Sequence, residues 1–474
     1  MLFNSYTFIL FFLFVLMLFN LISDKHRVIF LIFSSYLFYS YWDWRFTILL
    51  LSSTILDFYL GRNIYICKDK IKRKWLLTVS IVFNLGVLAF FKYFNFFAES
   101  INSMANKFGV ELGYVELNII LPVGISFYTF QTMSYTIDIY RNEIKPTNHF
   151  SKFALFVSYF PQLVAGPIER AKNIIPQLEN GLKTKIINIK PAIVLITTGY
   201  FKKVMIGDNC AKFVDHIFGN IEYYNSPELL FALFLFSLQI YADFSGYSNI
   251  ARGISLLFGI KLMVNFNQPY LSKSIKEFWQ RWHISLSTWL RDYLYISLGG
   301  NRVKKWKVYR NLLITMLLGG LWHGAGWNFI IWGFLHGIYL TIHKIILFDK
   351  SIFFKINSFF NKPIMIIKII TTNILVLITW LFFRVNNIND ITLFFQKIIY
   401  WQPSEFTPRF IAILLSYSLA TLLLDIFEYR SNSHLYILSI KRTAIQWGII
   451  CGILFICLVF MFQAKPNPFI YFQF

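Results

Sequence analysis

The amino-acid sequence predicts an all-α polytopic membrane protein, and three observations carry that prediction. Of its 474 residues, 57% are hydrophobic and only 14% charged. Apolar runs recur along the whole chain rather than at one end, and the mean hydropathy is +0.55. The basic residues gather in short loops between those runs. A span takes about 20 mainly apolar residues, so the chain divides into roughly ten to twelve membrane segments, with no soluble domain of any size left over. Residues 1–22 begin without a basic stretch and lack a small-x-small cleavage site, which reads as a retained first span rather than a signal peptide.

Lys+Arg number 45 against 23 Asp+Glu, a net charge of +22. So basic a chain raises the question of nucleic acid, but the placement of its charges fits the cytoplasmic loops of a membrane protein, and no nucleic-acid partner is expected. The stretch Lys68-Asp69-Lys70-Ile71-Lys72-Arg73-Lys74, residues 170–190 and the run Asn301-Arg302-Val303-Lys304-Lys305-Trp306-Lys307 are predicted to face the cytoplasm. The acidic loop with Glu99, Glu111 and Glu116 then faces outward, and three spans before Lys68 put the N-terminus outside. Membrane lipid is the first partner expected. The cysteines, Cys67, Cys210, Cys451 and Cys457, form no CxxC pair and have no histidine at metal-ligand spacing, which argues against a disulfide framework or a zinc site. Cys451 and Cys457 read as small buried hydrophobes.

Apolar segments near 6–22, 28–41, 46–60 and 75–97 are ordinary spans, rich in Leu, Ile, Phe and Val. From Ile119 the character changes. Pro122-Val123-Gly124-Ile125-Ser126-Phe127-Tyr128-Thr129-Phe130-Gln131-Thr132-Met133-Ser134-Tyr135 is apolar enough to enter the membrane, yet it carries hydroxyls and an amide. Ser126, Thr129, Gln131 and Tyr135 should face other helices or a water-filled cavity. The run 150–166, flanked by basic loops on both sides, reads as re-entrant. Within a single membrane domain, residues 1–118 form scaffold spans, 119–345 the working core, and 346–474 further spans ending in an aromatic tail. No internal repeat of the transporter kind is visible.

The core holds the candidate chemistry. His323 sits in Leu318-Gly319-Gly320-Leu321-Trp322-His323-Gly324, inside an apolar stretch running to Leu340, and an ionisable group in such a place is a functional candidate by default. His336 and His343 follow on what reads as the same helix; His336, thirteen residues on, points nearly opposite to His323 and is a packing or interfacial group. His283 lies in Phe278-Trp279-Gln280-Arg281-Trp282-His283-Ile284-Ser285-Leu286-Ser287-Thr288-Trp289-Leu290-Arg291. That window is either an interfacial amphipathic helix, with Trp at headgroup level and Arg snorkelling, or a working segment whose imidazole acts beside His323. His26, His149, His216 and His434 lie in or near loops. Asp243, beside an apolar run, needs a partner, either a cation or a histidine to orient, unless it is a helix-end carboxylate at the membrane surface.

With these words in place, the chain resembles the bacterial membrane-bound O-acyltransferases (MBOAT), in particular the membrane subunits of alginate and peptidoglycan O-acetylation. The likeness runs nearly end to end: Met1-Leu2-Phe3-Asn4-Ser5, residues 122–141 and 160–170, Tyr241-Ala242-Asp243-Phe244-Ser245-Gly246-Tyr247, residues 278–302, Leu321-Trp322-His323-Gly324, and Phe469-Ile470-Tyr471-Phe472-Gln473-Phe474. It implies about eleven transmembrane helices plus re-entrant ones around a central tunnel, with His323 as the catalytic residue and His283 at the second motif position, which is Asn in many eukaryotic members. Asn249 and Ser297 depart from the family pattern, where Asp and Pro are usual; neither touches the histidines.

The implied reaction is O-acetyl transfer. A neutral imidazole, ordinarily with a pKa near 6.5, suits the base that takes a proton from an attacking hydroxyl. His323 takes that role. His283 holds the acceptor or stabilises the oxyanion, with Arg281 and the backbone around Gly324 as further donors. Trp282, Trp322, Asp243 and Gln131 are candidate tunnel-lining groups. The resemblance implies acetyl-CoA as donor, arriving from the cytoplasm, with no permanently bound cofactor and no metal. It also implies a polysaccharide acceptor outside the bacterial cytoplasmic (inner) membrane. Tyr471 in the terminal motif is either part of an aromatic anchor or the carrier that passes the acyl group to a separate periplasmic or extracellular serine esterase-like transferase. The rival classes are a transporter of an acylated or lipid-linked glycan, with His323 as proton relay, and a scaffold subunit without chemistry of its own.

Overall fold

In hydrocarbon every backbone N–H and C=O must be satisfied within the protein, and a helix does so one segment at a time. The computed structural model describes residues 1–474 apart from 111, 114–115, 165, 184–185, 349–360, 386, 406, 464–466 and 473–474, and the described residues form helices and loops without a strand. Glu111 of the acidic loop, and Gln473 and Phe474 of the terminal motif, lie outside the described residues.

Among the described residues, six helices are long and apolar enough to cross a membrane by length and composition: Lys70–Lys107, Ser226–Leu257, Trp327–Ile346, Pro363–Arg384, Thr407–Ser431 and Thr443–Phe462. The chain is an all-α polytopic membrane protein. Six is fewer than the segments counted from the sequence, and the polarity of the remaining helices explains part of the difference. Arg45–Ile66 has 22 residues, about 33 Å at 1.5 Å per residue, but it carries Arg45, Asp57 and Arg62. Tyr6–Leu21 carries no charge and is apolar apart from Thr7 and Asn20, but has only 16 residues.

The chain falls into two compact units. The first comprises Met1–Ala192 and Ala251–Met263. Its helices Tyr6–Leu21, Arg27–Ser40, Arg45–Ile66 and Lys70–Leu88 follow the four predicted spans, the last continuing through the π-helical Ala89–Tyr93 into Phe94–Lys107. Asp57 is buried and accepts from Ser80 Oγ at 2.6 Å and Asn84 Nδ2 at 2.8 Å, while Ser53 Oγ and Thr132 Oγ1 donate to Asn84 Oδ1 at 2.8 and 3.2 Å. Three helices are thereby tied by polar groups that lipid could not satisfy. The hydroxyl-laced helix, Ile125–Tyr140, has its residues from 125 to 136 all buried, as its composition demands. Gly124 starts it at φ 77°, and a Cβ there would lie 2.5 Å from the Leu163 carbonyl oxygen. The predicted re-entrant run is two helices, Phe150–Ser158 and Phe160–Leu163, broken at Tyr159. The first, of 9 residues, rises about 14 Å, under half of a hydrocarbon core of about 30 Å.

The second unit comprises Ile193–Ile250 and Val264–Phe474. Two close helix pairs shape it, both at glycines. A Cβ on Gly320 of Lys305–His323 would lie 3.1 Å from Gly333 Cα of Trp327–Phe348, and one on Gly337 would lie 3.1 Å from Leu313 Cα. A Cβ on Gly199 would stand 2.7 Å from the Gly246 carbonyl oxygen, and the reverse distance is also 2.7 Å. Backbones that approach this closely are the usual device of helix pairs in lipid. Gly320→Val should therefore lower the unfolding midpoint and the yield of folded protein, an overpacking cost of about 1–3 kcal/mol or more; a thermal melt in detergent reads it.

Three expectations are corrected. His323 and His336 are not on one helix: the first ends at His323, Gly324 is extended, and a second begins at Trp327. A side chain at 324 would run into the Phe329 ring, so the break depends on glycine. The window around His283 is not one interfacial helix: Ile275–Arg281 and Ile284–Trp289 are separated by a break at Trp282 and His283, and Trp279, Trp282 and Trp289 are all buried. Of the two late cysteines only Cys457 is buried; Cys451 is exposed on the outer face of its helix. Thr407–Ser431 likewise turns Ile411, Leu415, Leu419 and Leu422 outward, a stripe at helical spacing that suits lipid.

The loop charges predict sidedness. In a background without the native cysteines, a cysteine at Lys70 or Lys304 should react only with cytoplasmic reagents, and one at Glu111 only from outside. Labelling of Lys70 and Glu111 positions from the same side would contradict the span count.

Candidate active site

His323 is the last residue of its helix, and the turn at Gly324 lets its buried ring leave the helix axis. Ring centroids of Trp322, Trp332 and Phe383 stand 5.0, 4.9 and 5.2 Å away, nearly edge-on. The fourth neighbour is Tyr471, at 5.4 Å.

His283 is buried and occupies the break between the two short helices with φ 42°, ψ 55°. A left-handed conformation is costly for a residue bearing Cβ and persists only where the surroundings enforce it. Here Asn265 enforces it: its backbone carbonyl accepts from Ile284 N at 2.9 Å, and its Oδ1 accepts from Ser285 N at 3.1 Å and Ser285 Oγ at 2.9 Å. Asn265 Oδ1 also lies 3.3 Å from His283 Nδ1, and Asn265 Nδ2 donates to Ser248 Oγ at 3.3 Å. Since Ser285 Oγ spends its proton on Asn265, Nδ1–H of His283 donates to Asn265 Oδ1, which leaves Nε2 as the acceptor nitrogen. Burial pushes this imidazole down from its ordinary pKa, so the ring is neutral at cellular pH. Asparagine tolerates the left-handed region and keeps a hydrogen-bonding amide. His283→Asn should accordingly retain the unfolding midpoint better than His283→Ala, by about 1 kcal/mol or more, read by thermal melts of the two variants.

The C-terminal tail enters the same group of rings. Tyr471 lies 4.7 Å from Phe244, 6.4 Å from His283 and 6.1 Å from Phe383, and stacks on Phe469 at 5.3 Å. Its hydroxyl is buried and has no hydrogen-bond partner among the described residues. Burial pushes the phenol well up from its ordinary pKa. Such a phenol reacts as a nucleophile only with a base to take its proton. His283 completes the arrangement at 4.6 Å from Phe244 and 6.0 Å from Trp322. Two imidazoles and one phenol, from a helix end, a helix break and the chain terminus, thus share an aromatic enclosure.

The other predicted residues divide. Trp322 touches both histidines; Trp282 is buried behind them, stacked on Phe278 at 5.5 Å and 5.0 Å from Trp380. Arg281 donates from Nε and Nη2 to Glu277 Oε1, each at 3.0 Å, and from Nη1 to the Asn267 carbonyl at 3.0 Å, with its guanidinium over Tyr429. Those bonds fix the bend around His283 rather than aim donors at His323. Gln131 belongs to the first unit, where its amide donates to the Phe156 carbonyl. Asp243 is buried in the middle of Ser226–Leu257, not at a helix end, and its partner is a cation: Lys203 Nζ is 2.7 Å from its Oδ1. His336 is a packing group. Trp279 Nε1 donates to its Nδ1 at 3.3 Å, and its Nε2 lies 3.0 Å from Thr379 Oγ1.

Sequence reasoning missed Asn265, Lys203, Trp332 and Phe383. Lys203 alone left a signal, as one of two lysines in the otherwise apolar Gly199-Tyr200-Phe201-Lys202-Lys203-Val204-Met205-Ile206.

The model of the MBOAT, membrane-bound O-acyltransferase family, matches residues 36–391. A probable alginate O-acetylase AlgI of Azotobacter vinelandii is 42% identical, over 82% of this chain and 76% of its own length. One from Pseudomonas aeruginosa is 39% identical, over 85% and 76%. A peptidoglycan O-acetyltransferase of Helicobacter pylori is 35% identical, over 94% and 91%. The motif histidines His283 and His323 both lie within the matched span, and the chain belongs to the membrane-bound O-acyltransferase family of enzymes.

Proposed function

We propose that the chain O-acetylates a cell-envelope or extracellular polysaccharide from the bacterial cytoplasmic membrane, by moving an acetyl group from a cytoplasmic thioester, acetyl-CoA, through Tyr471. The observation that carries this reading is the placement of the Tyr471 ring 5.4 Å from His323 and 6.4 Å from His283, with its hydroxyl buried and unpartnered among the described residues. A surface anchor has no reason to place a phenol beside two imidazoles.

In the first half-reaction His323 takes the phenol proton as the oxygen attacks the thioester carbonyl. Backbone N–H groups near Gly324 steady the negative charge on the tetrahedral intermediate, while His283, whose Nδ1–H is given to Asn265, offers its Nε2 lone pair to hold the acceptor hydroxyl. The C–S bond breaks, the thiolate takes the proton from His323, and a phenyl ester and free thiol result. In the second, the serine hydroxyl of a partner transferase attacks the ester, the Tyr471 phenolate leaves and is reprotonated, and the partner delivers the acetyl group to the glycan. Phenol, with an ordinary pKa near 10, leaves more readily than an aliphatic alcohol, which suits a carrier. The relatives named for alginate and peptidoglycan acetylation support a glycan acceptor.

Purified protein given acetyl-CoA should release free thiol, at a rate raised by the partner transferase. A transporter or a scaffold releases none. The acceptor is read from the cell envelope of a deletion strain by mass analysis, where the acetylated glycan should lose its acetyl groups; an unchanged envelope would overturn the glycan assignment.

A further inference from the structure

We propose that Lys203, Asp243 and Asp208 form a buried clamp for the C-terminal tail, and that Lys203 and Asp243 are positioning residues for Tyr471 rather than groups that touch substrate. The inference rests on the reading of Tyr471 as acyl carrier.

The clamp is assembled by close backbone approach. Gly199 and Gly246 let two helices meet, and farther along a Cβ on Gly207 would lie 3.2 Å from Asp243 Cα. This leaves Lys203 opposite Asp243, with its ammonium 2.7 Å from Asp243 Oδ1 and 2.8 Å from Asp208 Oδ1. The side chains are buried, Lys203 at 1% exposure and Asp243 at 5%. One ammonium facing two carboxylates leaves acceptor capacity over, and the tail takes it up. Asp243 Oδ2 accepts from Ile470 N at 3.0 Å, the residue directly before Tyr471. Lys203 Nζ donates to the Asn467 carbonyl at 3.4 Å, and Asn467 Nδ2 donates to the Asp208 carbonyl at 3.2 Å. Between these polar contacts Phe469 packs 4.9 Å from Tyr247 and 5.2 Å from Phe244, and Ile470 is buried.

Three features argue that the cluster holds the tail rather than merely joining helices. Asp243 already has its cation, so its second oxygen needs no further partner for charge balance, yet it receives a backbone donor from the tail. The contacts made by the Lys203 and Asp243 side chains fall on the tail's backbone, at Asn467 O and Ile470 N, which fixes the path of the chain independently of its side chains. A hydrogen bond from the residue adjoining Tyr471 sets the direction in which the phenol projects, and a catalytic group displaced by about 1 Å loses on the order of a hundredfold in rate. Asp243 thus gains a role other than lining a tunnel.

The test separates tail position from acyl transfer. In a cysteine-free background, Tyr471→Cys reports the tail through its rate of reaction with a small maleimide. With the clamp intact the thiol should react slowly; with Lys203→Ala added, at least tenfold faster. Ile470→Pro, which removes the tail's N–H donor while leaving Lys203, Asp243 and the spanning helices untouched, should accelerate labelling to a similar extent, so a misfolded Lys203→Ala cannot decide the result alone. In the chain that retains Tyr471, both substitutions should lower kcat for thiol release at least tenfold and leave KM for acetyl-CoA within about twofold. Unchanged labelling in both variants would overturn the clamp, as would a raised KM with unchanged kcat. If labelling accelerates while wild-type protein never acetylates Tyr471, the carrier reading falls and the tail contact stands.

Discussion

His323→Ala should reduce acetyl transfer by about 10²–10⁴-fold, the usual worth of a positioned general base, while the protein still inserts and folds. The expectation follows from its surroundings: the ring stands among Trp322, Trp332, Phe383 and Tyr471 at the end of a helix whose packing depends on Gly320 and Gly333. Removing the imidazole leaves a cavity at the helix end, which His323→Gln avoids by keeping most of the volume. Both variants should be inactive and His323→Gln should melt near the wild type. Near-normal transfer by either, at normal expression, would remove His323 from the chemistry. His283→Ala should also impair turnover; loss of its backbone fit to Asn265 makes that variant less able to separate chemistry from structure.

Tyr471→Phe should abolish delivery of acetyl groups to the glycan while leaving the tail in place. The substitution keeps the ring that packs on Phe244 and Phe469 and deletes one oxygen, which holds no hydrogen bond among the described residues. It should therefore cost little stability. A tyrosine hydroxyl shut away from water normally finds a partner, and the lack of one among the described residues makes the variant a clean probe. Wild-type delivery by Tyr471→Phe would leave the tail as an aromatic anchor.

Membrane character, the first four helices and the special nature of residues 125–135 were legible because apolar run length and polarity survive in one dimension. The three rings of the candidate site were also legible, since two histidines and a terminal tyrosine stand out against apolar neighbours. Their mutual placement was not. His283 depends on a left-handed break held by Asn265, eighteen residues away, and nothing in the window around it announces a break. The end of the His323 helix was hidden because Gly324 and Gly326 sit in continuous hydrophobicity, where glycine equally serves helix packing. Asp243 declared its need for a partner, but choosing Lys203 took the meeting of Gly199 and Gly246, a three-dimensional fact.

In the proposed reaction the acyl group rests on Tyr471 in transit. The direct measurement is the mass of the C-terminal peptide after purified protein, without its partner transferase, has been incubated with acetyl-CoA and quenched in acid. One acetyl group should appear on Tyr471, be removed by hydroxylamine as phenyl esters are, and be absent from His323→Ala and Tyr471→Phe. Release of thiol and acetylation of the glycan with the C-terminal peptide unmodified at every time point would contradict it.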